Sequence, residues 1–204
     1  MKRIIKNILL KLDLISFKTI SRMRKHLVRV ISDEEIITYI HSINQKNMET
    51  LEISGDRWER FFNPNNYNSL SYPEINIEKP IKNKKRYDLI ILEHVLEHIS
   101  DPKLAVLNIW NILKPNGRLI IVTPFLIKVH DSPTDCTRWT KEGLKQLLVQ
   151  VGFSDKDLIT GQWGNRAAVK ANFKKWVKFN PLLHSLKNEE EFPLAVWAFA
   201  QKKG

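Results

Sequence analysis

Glycine is scarce in this chain. There are seven in 204 residues, Gly55 is the only one before Gly117, and no G-x-G pair occurs. A dinucleotide fold needs closely spaced glycines so that backbone can approach a pyrophosphate, which argues against a nucleotide-binding dehydrogenase. Cysteine is scarcer still. Cys136 stands alone, so no internal disulfide can form, and a reducing, cytoplasmic setting is expected. No apolar run approaches the roughly 20 residues of a membrane span. Acidic residues are nearly missing from the first 30 positions, where nine Lys or Arg face Asp13 alone, a net +8. The other 174 residues carry only +3 of the +11 total, so the basic character is local.

What is present is organised around residues 87–125. Leu89 to Leu92 is an unbroken apolar run, as expected of a strand covered on both faces. Ser100 and Asp101 can cap a helix, with Pro102 at its first position. Leu104, Leu107, Trp110 and Leu113 recur at helical spacing and predict its buried face. Pro115, Asn116 and Gly117 stop that helix, and Leu119 to Val122 forms a second apolar run ending at Thr123-Pro124. Strand, helix, strand predicts a βαβ unit, a parallel sheet and the α/β class. Downstream, Thr140 predicts a helix with Leu144, Leu147, Leu148 and Val151 inward and Gly152 at its end. Asn165-Arg166 opens a further helix, with both residues as secondary pocket candidates, and PLAVWAFAQK reads as the last strand.

EHVLEHISDP, LKPNG and LIIVTPF, followed by RWT, KEGLKQLLVQVGF and WGN, resemble the class I S-adenosylmethionine-dependent methyltransferases of the type 11 group. The resemblance runs from about Glu52 to Trp163. It implies a Rossmann-like fold: a mostly parallel sheet, helices on both faces and an antiparallel last strand. It also implies S-adenosylmethionine as cofactor. In the family pattern a first strand ends in an acid and a glycine-rich loop, and here Glu52, Ser54 and Gly55 hold those places, with Ser54 replacing a glycine. The helix that normally follows is shortened to residues 56–66. An acid after the second strand should take the ribose hydroxyls, and Glu74, Asn76 and Glu78 compete for that role. Leu92, Glu93 and His94 follow the central strand and are expected to line the cofactor pocket. The four-residue spacings of Glu93 with Glu97 and His94 with His98 raise a metal site, but the order is not that of HExxH, and the resemblance accounts for His98 as structural, without metal.

Beyond the next strand end, His130 is a candidate base for an acceptor hydroxyl, with Asp131 or Asp135 orienting it. His130 and Asp135 are therefore the catalytic candidates. Arg138 is expected to pair with Asp135, and Trp139 to pack the next helix. The methyl acceptor is expected to be a small molecule, a sugar or a lipid head group. The rival class is a non-catalytic module that keeps the fold and binds a partner.

The domain proper is placed at residues 46–204, after a basic helical extension over 1–45. In that extension Ile4, Ile8, Leu12 and Ile15 share one face. Charges interrupt the apolar run and no small-residue cleavage site follows, unlike a secretory signal. Packing on the sheet is the first reading and peripheral contact with anionic membrane through residues 1–30 the second. No nucleic-acid motif is present, and nucleic acid is not an expected partner. Ser32 to Glu35 reads as a helix start, with Ile36, Ile37, Ile40 and Ile43 inward.

Overall fold

A computed structural model describes residues 17–82, 85–131 and 133–204. The face formed by Ile4, Ile8, Leu12 and Ile15 lies outside the described residues. In order, the elements are α1 (Phe17–Arg22), α2 (Val30–Ser42), β1 (Thr50–Ile53), β2 (Tyr67–Leu70), β3 (Tyr87–Glu93), α3 (Pro102–Ile112), β4 (Leu113–Pro124), α4 (Lys141–Val151), β5 (Leu158–Trp163), α5 (Arg166–Asn172) and β6 (Ala195–Gln201). The sheet order is β2-β1-β3-β4-β6-β5. β1 pairs parallel with β2 and β3, and β3 with β4. β6 runs antiparallel between β4 and β5. This is the Rossmann-like arrangement, with the antiparallel strand inserted last.

The unbroken apolar run of β3 has the meaning expected of it. Ile90 and Leu92 face one core with α3 and α4. Leu89 and Ile91 face the other, with Ile36 and Ile40 of α2, Trp58, Trp163 and Val169 of α5. Both faces of the strand are thus closed to water, and such burial stabilises by about 25 cal/mol per Å² of apolar area.

Local chemistry sets the ends. The Asp101 carboxylate accepts from the Leu104 amide, and Pro102 occupies the first turn of α3. The Thr140 hydroxyl accepts from the Gly143 amide, and Gly152 closes α4 at φ 122°, where a side chain would be strained. Two details differ from expectation. The buried stripe of α3 is Ala105, Val106, Ile109 and Ile112, while Leu107 points outward. Both stripes have helical spacing, and the sheet takes the one that follows Pro102 by three. Trp110 instead lies beneath the Lys202 ammonium, 3.7 Å from its ring centre, and that ammonium also donates to the Trp110 and Leu113 carbonyls. Second, α2 begins at Val30, so Ser32 and Asp33 sit buried in its first turn and do not cap it. A 3-10 turn over Leu27–Arg29 leads straight into it.

Four of the described basic residues before α2 are fastened to the domain. Lys18 and Arg22 hold Glu34, Lys25 holds Asp33 at 2.8 Å, and Arg29 reaches Glu93 at the end of β3. Leu27 and Val28 are buried with α2 in the second core.

Candidate functional site

β1 and β3 lie side by side, Ile53 opposite Leu92. Immediately after them the backbone turns the same way twice: Ser54 has φ 62° and His94 has φ 54°. Left-handed residues other than glycine are uncommon, and they gather where a strand end must bend around something. Both remain anchored, since the Ser54 amide donates to the Leu70 carbonyl at 2.9 Å and the His94 amide to the Val122 carbonyl at 2.8 Å. Between these ends opens a cavity of about 430 Å³. Its apolar wall includes Ile53, Ile75, Ile77, Val95 and Ile99, and its polar lining includes Ser54, Asn76, His94, His98 and Thr134. The size and balance suit a small organic ligand. Nε2 of His94 is buried and without a hydrogen-bond partner. A polar atom desolvated in this way costs stability unless something meets it.

Of the expected cofactor residues, Ser54, Asn76 and His94 line this cavity, while Glu52, Gly55, Glu74, Leu92 and Glu93 do not. The Glu52 carboxylate turns back into its own loop. It accepts from the Trp58 amide at 3.0 Å, the Arg57 amide at 3.2 Å and the Tyr67 hydroxyl. Burial pushes Glu52 above the ordinary carboxylate range despite those donors, and burial with the adjoining Glu52 pushes the Tyr67 phenol up as well. Gly55 serves the same loop, because a Cβ there would stand 2.5 Å from Glu52 Oε1. The positive φ belongs to Ser54, one residue earlier. Glu74 accepts from the Ser71 amide, and Glu78, which does border the cavity, accepts from Ser100 and the Asp101 amide. Leu92 is fully buried.

Glu93 is turned to the opposite side of the sheet. Arg29 and Arg57 both donate to its Oε1, Trp58 Nε1 donates to Oε2 at 3.0 Å, and Arg57 also holds Asp33. Burial would raise this carboxyl, but the two guanidiniums hold it below its usual value.

Glu97 was not among the expected site residues. It is fully buried, and its Oε1 has no hydrogen-bond partner. His94 Nδ1 stands 3.4 Å from that oxygen and His98 Nε2 3.8 Å, near enough for charge to act but without a completed hydrogen bond. Thr123 donates weakly to Oε2 at 3.4 Å. Burial pushes Glu97 up, yet the neighbouring His94 and His98 bring it below the usual carboxylate range. The repeated Glu-His spacing of EHVLEH was the available signal for this residue.

His130 sits behind His98, outside the lining. Their rings meet edge to face at 5.0 Å, and Trp176 meets His130 from another side at 5.4 Å. Burial lowers His130 more than the nearby Asp135 and Glu97 raise it, which favours the neutral ring near neutral pH. Asp135 accepts from the His130 amide at 2.8 Å, stands 3.5 Å from its Nδ1, and is gripped through both oxygens by Arg138. Asp135 thus contacts the His130 backbone and is held in turn by Arg138. Asn165 caps α5 and is bonded to the Ser185 and Lys187 carbonyls, and Arg166 pairs with Glu189, so neither reaches the cavity.

The comparisons with known proteins converge on this arrangement. A family model described as a methyltransferase domain matches residues 32–156, more than half of the chain. Among curated proteins, a probable polyketide synthase 26 of Dictyostelium discoideum is 36% identical over 67 residues, which is 32% of this chain and 3% of that protein. A probable polyketide synthase 29 of the same organism is 30% identical over 90 residues, 41% of this chain and 3% of that one. The match thus spans only a few per cent of these relatives. Among solved structures, an S-adenosylmethionine-dependent methyltransferase from Mesorhizobium loti aligns with TM-score 0.55 at 11% identity, over 81% of this chain and 96% of that one. The Haemonchus contortus phosphoethanolamine N-methyltransferase 2, in complex with S-adenosyl-L-methionine, aligns with TM-score 0.56 at 10% identity, over 85% and 53%. At such identities these structures speak for the fold. With the order of strands, the cavity between the ends of β1 and β3 and a family model over most of the sheet, the chain belongs to the class I S-adenosylmethionine-dependent methyltransferases.

Proposed function

We propose that this chain binds S-adenosylmethionine in the cavity between β1 and β3 and transfers its methyl group to a small-molecule, sugar or lipid-head-group acceptor. The observation that carries this reading is the cavity of about 430 Å³ between the ends of β1 and β3, lined by the left-handed Ser54 and His94. The residues fit the cofactor. The Ile53, Ile75 and Ile77 wall suits a purine ring, Asn76 offers an amide to a ribose, and His94 offers a nitrogen to a carboxylate or hydroxyl. Glu78 also borders the cavity with its Oε1 engaged by Ser100 and Asp101, so Asn76 and the second oxygen of Glu78 are the groups left for the ribose. Bound S-adenosylmethionine would supply an electrophilic methyl on a sulfonium.

The protein's contribution is positioning and proton acceptance. Holding an acceptor oxygen or nitrogen in line removes much of the entropic barrier. His98 borders the cavity, and His130 stands directly behind it, able to take a proton from a hydroxyl acceptor through a water. Asp135 accepts from the His130 backbone amide and so holds the loop that carries the ring.

Calorimetric titration with S-adenosylhomocysteine tests the cofactor. Micromolar binding is expected, falling about 10-fold in His94→Ala with the loss of one hydrogen bond. Gly55→Val should abolish it, since its Cβ would displace the Glu52 carboxylate from the amides of the loop that carries Ser54. Absence of binding by the unaltered chain would favour the non-catalytic module. His130→Ala should lower turnover of a hydroxyl acceptor about 10²-fold and leave S-adenosylhomocysteine affinity unchanged.

A further inference from the structure

We infer that Glu97, His98 and His130 form a binding site for a divalent transition-metal cation in the wall of the cavity. One ligand atom from each of the three lies within 4.8 Å of the other two.

Three features of the cluster point to a cation. Glu97 is a fully buried carboxylate whose Oε1 lacks any hydrogen-bond partner, and a buried anionic oxygen needs positive charge to offset its lost hydration. His98 has a defined tautomer, because its Nδ1 bonds to the Thr134 carbonyl, which can only accept. With Nδ1 held to that carbonyl, Nε2 is the ring nitrogen left for a ligand. It stands 3.8 Å from Glu97 Oε1, too far for a hydrogen bond between them. A cation between the two atoms would engage both. His130 brings the third side chain, an imidazole whose ring meets that of His98 edge to face at 5.0 Å.

The surroundings resemble the outer shell of a metal centre. Ligating histidines usually give their second nitrogen to a carbonyl or carboxylate, which fixes the ring. His98 gives its Nδ1 to Thr134, and Asp135 stands beside His130 Nδ1 with Arg138 locking the carboxylate. Two imidazoles and one carboxylate suit Zn²⁺ and its first-row neighbours better than Mg²⁺ or Ca²⁺. Two ligand atoms with bonds of about 2.1 Å can be at most about 4.2 Å apart. Any separation above that limit would have to close on binding, which rotation of the half-buried His130 ring can provide. Because His98 borders the cavity, a remaining coordination position would open toward an acceptor oxygen. Cation binding can be measured without methyl transfer, so the two readings can fail separately. In the metal-loaded chain His130 would act as a ligand in place of the free proton acceptor.

The experiment is calorimetric titration of the full, chelator-treated chain with ZnCl₂, without S-adenosylmethionine. One equivalent is expected to bind at micromolar affinity or tighter. Co²⁺ should give visible absorption bands of a low-symmetry site, displaced by Zn²⁺. Glu97→Gln, which keeps the shape, and His130→Ala should each weaken binding at least 10-fold, while Asp135→Asn weakens it less. Cys136→Ser should leave it unchanged, and loss of binding in that variant would reassign the cation to the exposed thiol. Absence of saturable binding, or binding indifferent to Glu97→Gln and His130→Ala, overturns the assignment. If metal binding fails while the unaltered chain still binds S-adenosylhomocysteine, only the cation site falls. The reverse result removes only the methyltransferase reading.

Discussion

Glu93 and Glu97 leave the same end of the sheet four residues apart, and both are buried as anions. Glu93 turns to the α2 side and meets two arginines and an indole N–H. Glu97 turns to the cavity side and meets two imidazoles that stop short of hydrogen bonding and a distant threonine hydroxyl. A carboxylate answered from all sides acts as a fastening between segments. One left with an open oxygen is suited to a ligand, and the contrast separates the supporting side of this sheet from its working side.

The comparison can be broken most severely at Glu93. Glu93→Ala would leave Arg29 and Arg57 facing each other without their anion, and a loss of about 3 kcal/mol is expected in urea denaturation. A loss below about 1 kcal/mol would mean that both guanidiniums simply swing into water.

A smaller effect should appear in acid. Both carboxyls sit below their ordinary value in the folded chain. Their contribution is complete above the unfolded-state value and disappears as pH falls through the folded one. Stability should therefore decline on acidification below the ordinary carboxylate range, and Glu93→Gln should flatten that decline. His130 acts in the same sense at higher pH. Its folded value lies below the ordinary imidazole value, so its contribution is complete above about 6.5 and shrinks as pH falls through the folded value. Melting curves of His130→Ala and the unaltered chain that stay parallel from pH 7 to 5 would count against this.

The smallest change is expected at Glu97. In metal-free buffer, Glu97→Gln removes an unanswered charge and adds an amide donor toward His98 Nε2, so stability should move by under about 1 kcal/mol or rise. A loss as large as that of Glu93→Ala would erase the distinction between the two sides.

The sequence was most legible where one local rule decides. The run 89–92 could only be a strand covered twice, and Asp101-Pro102 and Thr140 could only begin helices where they do. Ser54 and His94 could be placed at the cavity from the sequence because strand ends in parallel sheets open onto a crevice. Glu52 and Glu93 follow the same positional rule yet fall outside the cavity. Their destinations depend on Arg57, Tyr67 and Arg29, residues 5, 15 and 64 positions away, and no local pattern announces those meetings. The stripe on α3 failed for a related reason. Periodicity offered two apolar faces, and only the sheet chooses between them.

The clasp around α2 bears on how this molecule is felt from a distance. Lys18, Arg22, Lys25 and Arg29 are each within salt-bridge reach of Glu34, Asp33 or Glu93. Seen from beyond a Debye length of about 8 Å, such pairs are dipoles, whose potential dies away faster than that of single charges. The formal +8 of residues 1–30 therefore overstates the long-range pull of the part described here. Added salt acts first on the chain's own seam between α1 and α2, at the exposed Lys18 above all, before it acts on any encounter with an anionic surface.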